Sequence, residues 1–159
     1  MKKGFTLFEL LLVIAIIAVL SYLAVPLGIN FYRSQMVEAA RGELIENLQK
    51  AREYALLMKG DSRYGVKIEK DNDDVLISYT LYKGNSYASR DDQAEDEVYP
   101  QAPGMTISMA GSVDLIDGDI NFLKLTGATS ATGTITISHN SGSENRSVLI
   151  DEFGNAYRQ

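Results

Sequence analysis

The chain has 159 residues, 15 Lys+Arg against 21 Asp+Glu, a net charge of −6 and a pI near 4.8. That is one domain's worth of folded protein with a little left over, and a hydrophobic content of 45% excludes wholesale disorder. The acidic balance argues against a generally basic nucleic-acid binder. The absence of Cys excludes disulfides, thiolate metal sites and a Cys nucleophile, and a single His leaves little for a His-based metal centre.

The N-terminus departs from these averages. Met1-Lys2-Lys3-Gly4 is short and cationic. Phe5 to Val25 then runs 21 residues with one charge, Glu9. As a helix this run spans about 31 Å, the thickness of a bilayer's hydrocarbon core. It is too long and too uniformly apolar for a core helix in a domain of this size. A secretory signal peptide would have a shorter apolar region and a small-residue cleavage site, which Ser21-Tyr22-Leu23-Ala24 matches poorly. The positive-inside rule places Lys2 and Lys3 in the cytoplasm and the rest of the chain across the membrane. Glu9 is anomalous, since an acid near a span's centre costs about 2.5–3.5 kcal/mol and less near an end. The span holds no Lys, Arg or His to pair with it. Its partner is therefore expected on another chain, or as a terminal amine.

Lys2-Lys3-Gly4-Phe5-Thr6-Leu7-Phe8-Glu9-Leu10 resembles the prepilin signal of type IV pilins and type II secretion pseudopilins. The resemblance implies that a prepilin peptidase cuts between Gly4 and Phe5 and N-methylates Phe5. The apolar run stays in the mature protein. It also implies that Glu9 pairs with the N-terminal amine of Phe5 on a neighbouring subunit. Pro26, followed by Gly28, is expected to kink the helix, as a proline does at a similar place in pilin-like proteins; the rival reading is that Pro26 simply ends the membrane helix.

From Asn30 to about Met58 the period is helical. Val37, Ala40, Leu44, Leu48, Ala51, Ala55 and Met58 form one apolar stripe, which reads as core packing. Glu46, Lys50 and Glu53 fall on the opposite face, with Glu46 and Lys50 spaced for an i,i+4 pair. Gly60 and Asp61 are expected to close the helix. Beyond them the chain reads as strands. Tyr64, Val66 and Ile68 alternate with polar residues, Lys70–Asp74 form a turn, and Val75, Ile77, Tyr79 and Leu81 alternate again, predicting a hairpin. Residues 84–104 are polar and acidic with two prolines and read as a long loop. Short strands are predicted near Met105–Met109, Ile120–Leu125, Thr134–His139 and Arg146–Asp151, the last two as a hairpin. Some six strands must cover one helical stripe. The predicted fold is therefore α+β, a long N-terminal helix on an antiparallel sheet or small sandwich. The predicted divisions are a leader 1–4, a transmembrane or filament-core helix 5–29, and a head 30–159 made of the amphipathic helix 30–58 and a β-rich part 62–159.

Within the family the head resembles the GspH/FimT type of minor pseudopilin. Leu48-Gln49-Lys50-Ala51-Arg52-Glu53-Tyr54-Ala55 is similar to that group's helix segment, and Val148–Ala156 to its closing strand and turn. The resemblance implies a structural subunit, a minor one, of a type II secretion pseudopilus or type IV pilus. Its partners would be other pilin or pseudopilin subunits, prepilin peptidase, an inner-membrane assembly platform and lipid. It would be a single-pass inner-membrane protein with its N-terminus inside, later in a periplasmic or cell-surface filament. The alternative is a minor pilin that binds DNA for natural transformation. Charge weighs against it. Residues 60–159 hold 8 basic and 16 acidic residues, net −8, so phosphates are repelled unless the few cations cluster. Tyr157 and Arg158 are the one hint of a patch. No catalytic centre, metal or cofactor is expected: no Gly-x-Ser-x-Gly or phosphate loop occurs. Asp71, Asp73 and Asp74 lack the Gly and Glu that a calcium loop needs at its sixth and twelfth places. Asp114, Asp117 and Asp119 read as a solvated turn, and His139 as a polar residue ending a strand.

Overall fold

The computed structural model describes residues 6–141 and 144–159, with backbone alone at 23–27. The chain divides into two compact units, Met1–Gln35 and Met36–Gln159. Helix α1, Leu7–Leu56, contributes to both. Thr6 caps it: its hydroxyl accepts from the Glu9 amide at 3.2 Å and its carbonyl from the Leu10 amide at 3.2 Å. The helix does not end at Pro26 but continues through it. The missing proline N–H removes one bond from a ladder that long flanking turns sustain.

In the second unit α1 buries Val37, Ala40, Leu44, Leu48, Ala51 and Ala55, each at most 3% exposed. The last member of the predicted stripe, Met58, is not in the helix. It is 42% exposed with φ 51°, and Gly60 and Asp61 are also left-handed. The helix thus stops earlier, at Leu56, and a 3-10 turn at Lys59–Asp61 follows. The carbonyl of Ala55, in the last turn, accepts from the Met58 amide at 3.3 Å and from the Leu125 amide at 3.1 Å. Lys50 does not pair with Glu46. It reaches Glu97 at 2.5 Å, because a strand brings that carboxylate alongside the helix.

Among the described residues eight strands form two four-stranded antiparallel sheets. The strands are β1 Tyr64–Lys70, β2 Leu76–Lys83, β3 Glu97–Pro100, β4 Met105–Gly111, β5 Asp119–Phe122, β6 Gly133–His139, β7 Asn145–Ile150 and β8 Ala156–Arg158. A one-turn helix α2, Val113–Ile116, lies between β4 and β5. The sheet orders are β3-β2-β1-β5 and β4-β6-β7-β8. An isolated pairing of Val75 with Thr106 joins the two sheets. The β1–β2 and β6–β7 hairpins are as predicted. The long loop is not wholly a loop, since β3 lies inside 84–104 and pairs with β2. Four residues ending in proline are too few to show a period.

The alternation predicted for β2 also differs. Ile77 is 49% exposed, Leu76 is buried, and Ser78 to Tyr82 are buried on both faces. A register shift between Glu69 and Lys70 moves the strand by one residue, and β2 is an interior strand of its sheet. Its outer face is covered by residues 84–96. Tyr87 meets the Tyr82 ring edge-on at 5.6 Å and donates to Glu69 at 2.9 Å. That covering segment is held by an Arg90–Asp96 ion pair at 2.8 Å, with side chains 15% and 7% exposed. One core joins the stripe of α1 to Val66, Ile68, Tyr79 and Leu81 of one sheet and Ile107, Ile135, Ile137, Val148 and Ile150 of the other.

Candidate assembly surface

Gly4 and Phe5, the expected cleavage and methylation positions, lie outside the described residues. Glu9 is exposed in the first turn of α1, and no described residue pairs with its carboxylate. Thr6, which composition and apolar pattern did not single out, prepares that turn. The Thr6-x-x-Glu9 spacing is the signal that finds it, since a hydroxyl three residues before an acid is a helix-start pattern. Around Glu9 the helix presents large apolar side chains to solvent: Leu7 is 82% exposed, Phe8 74%, and Ile14 and Leu20 60% each. The apolar exposure runs on beyond the expected span to Ile29, Phe31 and Tyr32. Among the described residues no helix is long and apolar enough to cross a membrane, and the expected span reaches over Phe5 and the side chains of 23–27, which lie outside that description. Among the described residues this half of α1 is exposed from Thr6 to Tyr22, and an apolar patch of that length marks an interaction surface.

In the head the two resembling segments meet. Arg52, from the helix segment, donates through Nε to the carbonyl of Phe153 in the closing turn at 3.0 Å. That turn needs a glycine. Gly154 has φ 75°, and a Cβ there would lie 2.1 Å from the carbonyl oxygen of Gly127. Asp151 tightens it by accepting from the Asn155 amide at 2.8 Å and the Tyr157 hydroxyl at 3.0 Å. These bonds hold the Asp151 carboxyl below its ordinary range, the Asn155 side chain contributing most.

Arg158 does not stand alone. With Arg41 and Arg146 it surrounds Glu38, at 3.7, 2.7 and 3.5 Å respectively. The hydrogen bond from Arg41 is the largest cause of the lowered Glu38 pKa. The sequence hid this cluster, because Arg146 and Arg158 lie far along the chain from Glu38 and Arg41, and strands β7 and β8 bring them to the helix. The other carboxylates singled out serve turns and loops. Asp71 accepts from the amides of Asp73 and Val75, Asp114 from Ser130, and Asp119 from Tyr82 and the Tyr87 amide. His139 accepts from the Ser141 amide at 3.1 Å, closing the β6–β7 turn. Among the described residues no group of three or more His, Cys, Asp or Glu is placed to hold a metal ion.

Residues 1–22 match the family model described as the prokaryotic N-terminal methylation motif. The fold is similar to that of two solved structures. One is the minor pseudopilin EpsH from the type 2 secretion system of Vibrio cholerae, at 16% identity and a TM-score of 0.55, covering 78% of this chain and 96% of that one. The other is the type IV minor pilin FimU of Pseudomonas aeruginosa PAO1, at 18% identity and a TM-score of 0.56, covering 81% and 92%. The fold is pilin-like. No curated protein matches it in sequence. The pilin-like α+β fold is the one expected, a long N-terminal helix on antiparallel sheets.

Proposed function

We propose that this pilin-like chain is a non-enzymatic, minor subunit of a type II secretion pseudopilus or type IV pilus. Prepilin peptidase would cut between Gly4 and Phe5 and methylate Phe5. The chain would wait in the inner membrane with its N-terminus inside, pass to an assembly platform, and enter a filament in which α1 packs against other subunits. The observation that supports this reading is an N-terminal methylation motif opening a helix whose large apolar side chains, from Leu7 to Tyr22, are exposed among the described residues. In a filament core Glu9 pairs with the Phe5 amine of a neighbour. Removing one partner of a buried ion pair costs about 3–5 kcal/mol. The pair also sets axial register, which apolar surfaces alone leave free to slide.

The test is Glu9→Ala. Membrane insertion and cleavage after Gly4, read by intact mass, are expected to be normal, since the cut site is untouched and the span loses a charge. Recovery in purified filaments is expected to fall sharply. Wild-type recovery would show the pairing role to be wrong. A second reading, a DNA-binding minor pilin, draws on the gathering of Arg41, Arg146 and Arg158. It is weaker because Glu38 sits among the three guanidinium groups and compensates part of their charge.

A further inference from the structure

We propose that the apolar patch at the C-terminal end of α1 pairs with the same patch on a second copy of this chain. Three segments build it. Leu56, Leu57 and Met58 close the helix, Leu123 and Leu125 follow β5, and Phe153 stands in the turn before β8. Leu57, Leu125 and Phe153 are 69%, 62% and 62% exposed. The segments are held against one another. The Leu125 amide donates to the Ala55 carbonyl at 3.1 Å, and Arg52 Nε donates to the Phe153 carbonyl at 3.0 Å. Gly127 lies against the helix between them, where a Cβ would stand 3.1 Å from Leu56 Cγ.

Folding of the head does not account for these side chains. Leu125 has φ 70° and Met58 φ 51°, in the left-handed region that Gly or Asn occupies at less cost. Each is a large apolar residue in a strained backbone position that also faces solvent. Strain and exposure both count against the isolated head, so the patch answers to something that covers it.

Charge and area name the occupant. Around the patch stand Arg52, Lys59 and Lys124 and, against them, Glu53, Asp61 and Glu152, with Lys124 and Asp61 paired at 2.7 Å. This balanced rim lacks the cationic excess that a nucleic acid or an anionic lipid surface requires. Residues 60–159 hold 8 basic and 16 acidic residues, so two copies repel across most of their heads and least at this rim. With both signs present, a two-fold related copy can set carboxylates opposite cations. The apolar side chains present about 500 Å², a size at which a monomer's patch marks an interaction site. Closing the patch on its twin removes about 1,000 Å², the least that a specific interface buries. The inference stands apart from the filament reading.

The chain has no Cys, so single cysteines report the contact directly. Thr126→Cys places a thiol on the exposed patch, and Asn72→Cys, in the exposed β1–β2 turn, reports chance encounters within one micelle. Both are made in the full chain in nonionic detergent, in the Glu9→Ala background, so that the outcome does not turn on the filament contact. They are treated with a bismaleimide long enough to span the patch. Thr126→Cys is expected to give a cross-linked dimer and Asn72→Cys to stay monomeric. Adding Phe153→Ser is expected to raise the concentration of half-maximal cross-linking about tenfold, the loss of one large apolar anchor. Adding Leu125→Asn is expected to raise it as well, while the urea midpoint stays level or rises, because Asn tolerates the left-handed region better than Leu. Equal cross-linking of the Thr126→Cys and Asn72→Cys chains would assign the patch to a different protein and overturn the proposal. Undiminished pairing after Leu125→Asn would overturn it too.

Discussion

Replacing Leu44 and Leu11 by alanine, one at a time, separates the two uses of one helix. Leu44 is 0% exposed in the head core, and Leu11 is 60% exposed on the apolar half of α1. Truncating a buried leucine loses its transfer free energy and leaves a cavity, together about 3 kcal/mol within a usual range of about 2–5. At a urea dependence of about 2 kcal/mol per molar, the unfolding midpoint of Leu44→Ala drops by about 1.5 M. Leu11→Ala removes no contact within the head, so its midpoint stays within about 0.25 M, the reach of a neutral surface change. The assay is urea unfolding of the full chain in nonionic detergent, followed by near-ultraviolet circular dichroism of the buried tyrosines Tyr64, Tyr79 and Tyr82. Filament recovery is expected to run the other way, with Leu11→Ala impaired and Leu44→Ala recovered wherever it folds. A midpoint for Leu44→Ala within about 0.25 M of wild type would refute the packing of α1 described here. Equal loss of midpoint in both variants would refute the division of labour along the helix.

Three other outcomes are expected. Asp96→Ala strands the Arg90 guanidinium, which stacks 4.1 Å from the Tyr87 ring centroid, and destabilises the covering segment 84–96 by about 3 kcal/mol; hydrogen exchange of residues 84–96 faster than elsewhere checks this, and unchanged exchange counts against it. Glu38 and Glu97 have pKa values lowered by Arg41 and Lys50 respectively. The stability they add is therefore present above the ordinary glutamate pKa, about 4.3, and is lost as pH falls through their folded values. Thermal stability should decline below about pH 4, and Glu38→Gln should flatten that decline; an unaltered slope in the variant would show that Glu38 is not responsible. The full chain should leave duplex DNA unshifted in gels at about 0.15 M salt. A salt-sensitive shift that Arg158→Ala abolishes would establish the second reading instead.

The sequence by itself carried the N-terminal motif and the outline of the pilin-like fold. The motif around Gly4, Phe5 and Glu9 and the apolar run after it are local in sequence, and a helix's period can be read from neighbours three and four apart. The stripe Val37 to Ala55 and the two main hairpins were legible for the same reason. Tertiary structure decided what depends on distant partners. Lys50 chose Glu97 over Glu46, β3 formed because β2 offered it an edge, and a one-residue register shift turned Ile77 outward and Leu76 inward. The gathering of Arg41, Arg146 and Arg158 around Glu38 is likewise an assembly of residues from distant parts of the chain. Periodicity reports which face of an element is apolar. It does not report which polar groups two elements bring together, because that follows from register and crossing, which are set only when the core closes.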